Sequence, residues 1–181
     1  MQKYVAFLRA INLAGHTVKM DHLRRLFEEM GFSNVATFIA SGNVIFEAAS
    51  SDPGELERKA EESLRASLGY RVTTFIRTID ELGDIARYAP FNDASLDAGN
   101  STLYIAFTAR PPGDQAVKKL LALASHVNQF HTNRCEIYWL CRTKFSESRF
   151  SLAMLEKVLG LPSTISNAST VKKIVEKIQE K

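Results

Sequence analysis

The stretch that decides the fold is Val35-Ala36-Thr37-Phe38-Ile39-Ala40-Ser41-Gly42-Asn43-Val44-Ile45-Phe46-Glu47. Its middle, Ser41-Gly42-Asn43, is a tight-turn signal, because glycine accepts a positive φ and asparagine bonds readily to nearby backbone. The mainly apolar runs on either side predict two strands, at 35–39 and 44–47. The stretch therefore predicts a β-hairpin.

One strand and one helix are predicted on each side of this hairpin. Before it come a strand at 4–11 and a helix that begins near His22, capped by Asp21 and ended by Gly31. After it come a helix from Pro53 to Gly69 and a strand at 71–76. The helices show apolar positions every three or four residues, Leu23, Leu26, Phe27 and Met30 in the first and Leu56, Ala60, Leu64 and Leu68 in the second. The order β-α-β-β-α-β is the ferredoxin-like arrangement.

The second half predicts the same order of elements. Strands are predicted at 102–107, 127–130, 135–141 and 163–166, and the second helix at 150–159. The first helix of this half carries Val117, Leu120, Leu121 and Ala124 on one face. We therefore predict an α+β fold of two ferredoxin-like βαββαβ halves, each an antiparallel sheet with helices on one face. Extra helices follow the two halves, at about 79–88 and at the C-terminus.

The polar, turn-rich residues 91–101 separate the two predicted domains. The first is the N-terminal ferredoxin-like half with its linking helix, residues 1–90. The second is the C-terminal half with its terminal helix, residues 101–181.

Composition favours a folded chain and a reducing compartment. Of 181 residues, 45% are hydrophobic and 24% charged, which is unlike a disordered protein. No apolar run approaches the roughly 20 residues that span a bilayer, and Arg9 interrupts the first apolar run too early for a signal peptide. Cys135 and Cys141 would lie about 20 Å apart on one strand, too far to pair. We expect a cytoplasmic protein with free thiols and no membrane partner.

A candidate ligand site lies at one end of the first predicted sheet. Arg9 and Asn12 close the first strand, Lys19 follows in its loop, and the hairpin turn contributes Ser41, Gly42 and Asn43. The first and third strands of a ferredoxin-like sheet are central antiparallel neighbours, so the loop after the first lies near the start of the third. We expect these residues to offer cationic and amide donors to a small anionic ligand in a groove near the first sheet. The alternative is that the polar residues are turn formers and Arg9 is a surface cation.

Two other functions remain open. An acylphosphatase-like hydrolase would use Arg9 to hold phosphate and Asn12 or Asn43 to orient water, which is an analogy of fold alone. A nucleic-acid-binding module would stack bases on sheet aromatics, although the net charge of +3 is only mildly basic. Whether any catalysis occurs stays undecided.

No metal site and no cofactor are predicted. The four histidines and two cysteines show no ligand spacing, and the sequence has no Gly-rich nucleotide loop.

Several stretches of the sequence form a recognisable pattern. They are Tyr4-Val5-Ala6-Phe7-Leu8-Arg9-Ala10-Ile11-Asn12, Val18-Lys19-Met20, Gly31-Phe32-Ser33-Asn34-Val35, Ser41-Gly42-Asn43-Val44-Ile45-Phe46, Phe75-Ile76-Arg77, Ala89-Pro90-Phe91, Leu155-Glu156-Lys157, Leu159-Gly160 and Thr170-Val171. Together they resemble a known bacterial family, the domain of unknown function 1697. The resemblance implies a soluble bacterial protein of two ferredoxin-like halves and implies no activity.

The resemblance also adds residues near the end of the chain. Ser148 and Arg149 stand where relatives carry Ser-Lys, so the pair joins the candidate ligand residues. Ser166 and Ala168 replace the arginine and tryptophan that the family usually carries. A ligand contact made by those two side chains in relatives would be weakened here.

Overall fold

The computed structural model describes residues 1–12, 15, 17–38, 42–92 and 101–179. Backbone contacts divide the chain into two compact units, Met1–Gly83 and Asp84–Lys181. The predicted domain boundary at 91–101 falls mostly outside the described residues and stays a prediction. Among the described residues, no helix combines the length and the apolar character needed to cross a membrane.

The first unit is built on one four-stranded antiparallel sheet. Its elements are β1 (Gln2–Leu8), α1 (Met20–Glu29), β2 (Ser33–Phe38), β3 (Asn43–Ala48), α2 (Pro53–Leu68) and β4 (Thr74–Thr78). The strand order β2-β3-β1-β4 makes β1 and β3 the central pair and β4 an edge. The helix α3 (Ile79–Arg87) follows β4 directly, and the division between the units falls within it. The predicted ferredoxin-like order is confirmed.

Alternation along β1 decides which side chains meet the helices. Tyr4, Ala6 and Leu8 join one apolar cluster with Phe27 of α1 and Leu64 of α2. The Tyr4 hydroxyl donates to the Ser50 carbonyl at 2.8 Å, so the polar end of this buried ring is satisfied. Both helices therefore pack on one face of the sheet.

The helix α1 begins two residues earlier than predicted. The Lys19 carbonyl already accepts the Leu23 N–H at 3.0 Å, so Lys19 is the N-cap and Asp21 lies in the first turn. The prediction for α2 is confirmed, because Asp52 accepts the Gly54 N–H at 2.9 Å and Pro53 opens the helix. The β4 strand is shifted from the predicted 71–76, since its pairing with β1 runs from Thr74 to Thr78.

The second unit repeats this topology. Its elements are β5 (Thr102–Phe107), α4 (Asp114–Ala122), β6 (Asn128–Asn133), β7 (Glu136–Cys141), a 3₁₀ turn (Phe145–Glu147), α5 (Leu152–Leu159), β8 (Thr164–Asn167) and α6 (Ala168–Gln179). The strand order β6-β7-β5-β8 matches the order of the first sheet position by position. The α+β fold with two similar halves is confirmed.

Trp139 is the centre of the second core. Its fully buried ring packs against Phe130, Phe145 and Phe150. The indole N–H donates to Asn128 Oδ1 at 2.8 Å. An aromatic cluster with a satisfied polar atom therefore stabilises this half.

Two details of the second unit correct the sequence prediction. Leu121 is 46% exposed rather than buried, because Leu120 takes the inward position and the next residue is turned about 100° away. Cys135 lies in the hairpin turn after Arg134, whose φ is 53°, and β7 begins only at Glu136. Cys135 and the buried Cys141 are both free thiols.

Candidate functional site

The end of β1 brings Arg9 and Asn43 to the same end of the first sheet. Phe7 lies directly opposite Asn43, and the Leu8 N–H donates to the Gly42 carbonyl at 3.2 Å. The Arg9 N–H donates to the Thr73 carbonyl at 2.8 Å. Arg9 follows Phe7 by two residues, and Phe7 and Asn43 lie on neighbouring strands. The backbones of Arg9 and Asn43 are therefore within about 9 Å of each other.

Gly42 and Asn43 are packed inside the fold at this point. Gly42 has a φ of 80°, and a Cβ there would lie 2.6 Å from Ile11 Cγ2. Asn43 is only 3% exposed. These two residues therefore shape the sheet end rather than present polar groups at its surface. Ser41, predicted beside them, lies outside the described residues.

Asn12 fixes the connection between β1 and α1. Its Oδ1 accepts the backbone N–H of Val18 at 2.8 Å. On the other side of the connection, the Tyr70 hydroxyl donates to the Ile11 carbonyl at 2.9 Å. The two bonds hold the end of β1 against both the start of α1 and the residues that follow α2. The bond to Val18 also positions the backbone immediately before Lys19.

A cleft of about 470 Å³ opens between the start of α1 and the end of α2. It is lined by Thr17, Val18, Lys19, His22, Arg25, Ser67, Leu68 and Tyr70. Of the predicted site residues, only Lys19 lines it directly, and Asn12 acts through Val18. No carboxylate is present among the described lining residues. The cleft therefore combines basic side chains, hydroxyls and a small apolar wall.

The basic side chains of the cleft lie along the N-terminal part of α1 and at its N-cap. Lys19, His22 and Arg25 are spaced three residues apart, so successive members rise by about 4.5 Å along the helix. All three are exposed, and Lys19 makes no side-chain cap at the helix start. The positive end of the helix dipole therefore lies beside the same basic side chains, an arrangement that favours a bound anion.

Sequence reasoning missed most of this lining. The spacing of Lys19, His22 and Arg25 is visible in the sequence, because a basic residue recurs at every third position around the start of the predicted helix. Ser67 and Tyr70 carried no such signal, since they reach the cleft only through the packing of α2 against α1.

Ser148 and Arg149 belong to the second unit. The Ser148 hydroxyl accepts the Phe150 N–H at 3.1 Å and lies 3.4 Å from Asn128 Oδ1, while Arg149 is exposed. Ser148 therefore makes local bonds that support the start of α5.

The segment with the two replaced family residues caps a helix. Ser166 pairs with Ile105 in the second sheet, and Ala168 is buried at the first position of α6. Asn167 Oδ1 accepts the Ser169 N–H at 3.0 Å. The segment therefore caps the start of α6.

A second polar cluster lies on the face of the second sheet opposite α4 and α5. The Tyr88 hydroxyl and His131 Nε2 are 2.7 Å apart, and Tyr138 donates to the Ile85 carbonyl at 3.1 Å. Burial first, then the charge of Glu136, raises the pKa of Tyr138. Its phenol stays protonated at neutral pH, where it ties the end of α3 to the sheet.

Tyr4, Phe7 and Phe46 of the first sheet are buried and are not placed to stack on bases. Tyr4 and Phe46 stack on each other inside the core, with ring centroids 5.6 Å apart, and Phe7 is also buried. In the part of the chain that the structure describes, no group of three or more His, Cys, Asp or Glu side chains is placed to hold a metal ion.

Comparison with known proteins gives a family and a fold. A family model described as "Protein of unknown function (DUF1697)" matches residues 1–138. The structure is similar to that of the conserved bacterial protein SP0830 from Streptococcus pneumoniae, with a TM-score of 0.74 and 22% sequence identity. The similarity covers 97% of each chain, and at this identity it supports the fold alone. No curated protein matches the chain.

Proposed function

The chain belongs to the DUF1697 family of proteins of unknown function, and we propose that its first unit binds a small anionic ligand in the α1–α2 cleft. The observation that carries this proposal is the lining of the cleft, where Lys19, His22 and Arg25 stand together without a carboxylate among the described lining residues. Charge-assisted bonds from such groups are the stronger class of hydrogen bond and suit phosphate and carboxylate oxygens.

The spacing of the basic groups favours a ligand with more than one anionic group. From Lys19 to Arg25 the helix rises by about 9 Å, which is longer than a single phosphate. The opposite wall offers Leu68 and Tyr70, both half-buried, and the hydroxyl of Ser67. A ligand that carries a diphosphate or two separated acids, with an apolar portion beside them, fits this distribution of charge and apolar surface.

Within this proposal the residues have different roles. Lys19, His22 and Arg25 contact the anion. Asn12 is a positioning residue, because it holds the Val18 backbone immediately before Lys19. The proposed site is cytoplasmic, as the free Cys135 and Cys141 suit a reducing compartment.

Isothermal titration calorimetry with pyrophosphate tests the proposal. We expect saturable binding to the wild-type protein and affinity reduced by at least about tenfold in Lys19→Ala/Arg25→Ala, because two charge-assisted contacts are lost. The control Lys172→Ala/Lys173→Ala removes the same charge from exposed positions of α6 and should bind as the wild type does. Equal affinity in both double variants, or no binding to the wild type, would reject the cleft as an anion site.

The same protein samples separate the two other functions. Nucleic-acid binding predicts retardation of oligonucleotides that weakens steeply with salt. An acylphosphatase-like activity predicts hydrolysis of an acyl phosphate that disappears in Arg9→Ala. The buried Tyr4, Phe7 and Phe46 give the first of these little support, and the buried Asn43 removes one of the two amides that the second could use.

A further inference from the structure

The edge strand β4 has its outward backbone donors bonded to carboxylates. The N–H groups of Thr74, Ile76 and Thr78 alternate along the strand and share one direction. The acceptors are Glu61 at 3.0 Å, Glu57 at 2.8 Å and Glu81 at 2.8 Å respectively. Glu81 belongs to a capping box at the start of α3, because its own N–H donates to Thr78 Oγ1 at 3.2 Å. Glu57 and Glu61 reach the strand from α2, and each takes the position that a carbonyl of a neighbouring strand would occupy.

The second unit uses the same device at the matching place. Glu156 of α5 accepts the Ser163 N–H at 2.8 Å, immediately before the edge strand β8. The helix α5 occupies in its half the place that α2 occupies in the first. A glutamate from the second helix of each half thus bonds backbone at the edge of its own sheet.

Ion pairs hold the carboxylates of the first unit in place. Arg77 Nη1 lies 4.0 Å from Glu57 Oε1, and Arg71 Nη2 lies 3.9 Å from Glu61 Oε2. Glu57 is kept there although burial raises its pKa, with Glu61 and Asp52 adding to the rise and Arg77 and the Ile76 N–H opposing it. The bond from the Ile76 N–H therefore offsets part of the cost of burying this carboxylate.

The β4 strand would otherwise be suited to pairing. Its sequence, Thr74-Phe75-Ile76-Arg77-Thr78, is rich in β-branched and aromatic residues and contains no glycine or proline. Unpaired edge donors on such a strand are a template for another chain. The same edge of a second copy fits it best, because two antiparallel β4 strands related by a two-fold axis at Ile76 place Thr74 opposite Thr78 in both directions.

We propose that Glu57 and Glu61 close the β4 edge of the first sheet against antiparallel pairing with the β4 edge of a second copy of this chain. The closure works by occupying the strand's N–H donors with fixed oxygen acceptors. Glutamine keeps such an acceptor and alanine does not, so the two substitutions separate bonding from charge repulsion.

Sedimentation equilibrium on full-length variants tests the proposal. Glu57→Ala/Glu61→Ala should self-associate at least about tenfold more tightly than the wild type, because two N–H donors lose their acceptors. Glu57→Gln/Glu61→Gln and the charge-matched control Glu29→Ala/Glu62→Ala, at exposed helix positions, should associate as the wild type does. Hydrogen exchange at the Thr74 and Ile76 amides should become slower in the associated alanine variant than in its dilute form.

Three results would overturn the proposal. They are unchanged association of the alanine variant, equal association of the alanine and glutamine variants, and association that leaves the two amides in rapid exchange. Circular dichroism checks that each variant folds. If the double alanine variant does not, Glu61→Ala alone carries the test, since Glu61 is the more exposed of the two. Its Thr74 amide should exchange faster than in the wild type when dilute, and its association should still be tighter.

Discussion

Gly42 is the residue at which the sheet end depends most on the absence of a side chain. Its φ of 80° is left-handed, and a Cβ would meet Ile11 Cγ2 at 2.6 Å. Gly69 has a similar φ of 81° but nothing within 4 Å of the Cβ position. Alanine substitutions at the two glycines can therefore distinguish the cost of backbone strain from the cost of steric overlap with Ile11.

We predict that Gly42→Ala destabilises the protein more than Gly69→Ala. Backbone strain alone costs about 1–2 kcal/mol at either site. Overlap with Ile11 brings the loss at Gly42 to about 2–4 kcal/mol. Urea unfolding of the two variants measures both values, and equal losses would show that Ile11 moves aside freely.

Asn12 accepts a backbone hydrogen bond from Val18, which lies next to Lys19 in the proposed site. We predict that Asn12→Ala lowers the free energy of unfolding by about 1 kcal/mol, because the Val18 N–H loses its acceptor. The same variant should weaken pyrophosphate binding, since the Lys19 backbone is held less firmly. Asn12→Asp keeps an acceptor oxygen and should recover most of the stability. Loss of stability without any change in affinity would remove Asn12 from the positioning role.

Glu57 predicts a direction of pH dependence. Burial raises its folded-state pKa above the usual value of 4.5, so the folded protein binds this proton more tightly than the unfolded chain. Its contribution to stability therefore improves as pH falls from neutrality through the raised pKa. We predict that the melting temperature of Glu57→Gln, compared with that of the wild type at the same pH, falls as the pH is lowered. Glu62→Gln, exposed on the same helix, controls for the lost carboxylate, and the opposite trend at Glu57 would contradict the assignment.

For individual residues, the sequence indicates which polar side chains lie near the sheet end, but not which groups they contact. Asn12 was open to two interpretations, a turn former and a ligand donor, and the observed bond to Val18 supports the first. Asn43 was predicted beside a ligand and is buried. The distinction depends on which backbone groups approach each amide, and that follows from the packing of distant segments.

Among the elements, α1 shows where sequence patterning succeeds and where it stops. The apolar positions Leu23, Leu26 and Phe27 predicted its buried face correctly. Arg25 lies opposite this buried face, His22 lies beside it, and Lys19 is the N-cap of the helix. The other wall of the cleft comes from Ser67, Leu68 and Tyr70 at the end of α2. A periodic pattern identifies the face that packs and leaves the partner of the polar face undetermined.

A buried amide side chain forms a hydrogen bond between the two strands of the β6–β7 hairpin. Asn128 Oδ1 accepts the Trp139 N–H at 2.8 Å, in the centre of the second core. We predict that Asn128→Ala lowers the free energy of unfolding by about 1–3 kcal/mol, because the indole N–H is left without a protein acceptor. Asn133→Ala, at the half-buried far end of the same strand, should cost less, as measured by urea unfolding. Similar losses in the two variants would mean that the indole finds another partner.

For the whole molecule, element order was sufficient to predict the repeated topology. The two sheets share one strand order, although no identity between the two halves is evident in the sequence. Turn signals such as Ser41-Gly42-Asn43 and helix ends such as Gly69 and Gly160 are local, so they can be recognised without homologous sequences. The lining of the cleft is gathered by tertiary packing, which is why only Lys19 of the predicted site residues lines it.

The central claim is that the α1–α2 cleft of the first unit is an anion site. A titration of the uniformly ¹⁵N-labelled full-length protein with pyrophosphate, followed by amide NMR spectra, tests it most directly. We expect saturable changes in amide chemical shifts, concentrated at residues 17–25 and 67–70. These changes should be lost in Lys19→Ala/Arg25→Ala and retained in Lys172→Ala/Lys173→Ala. Spectra that do not change, or changes concentrated in Asp84–Lys181, would contradict it.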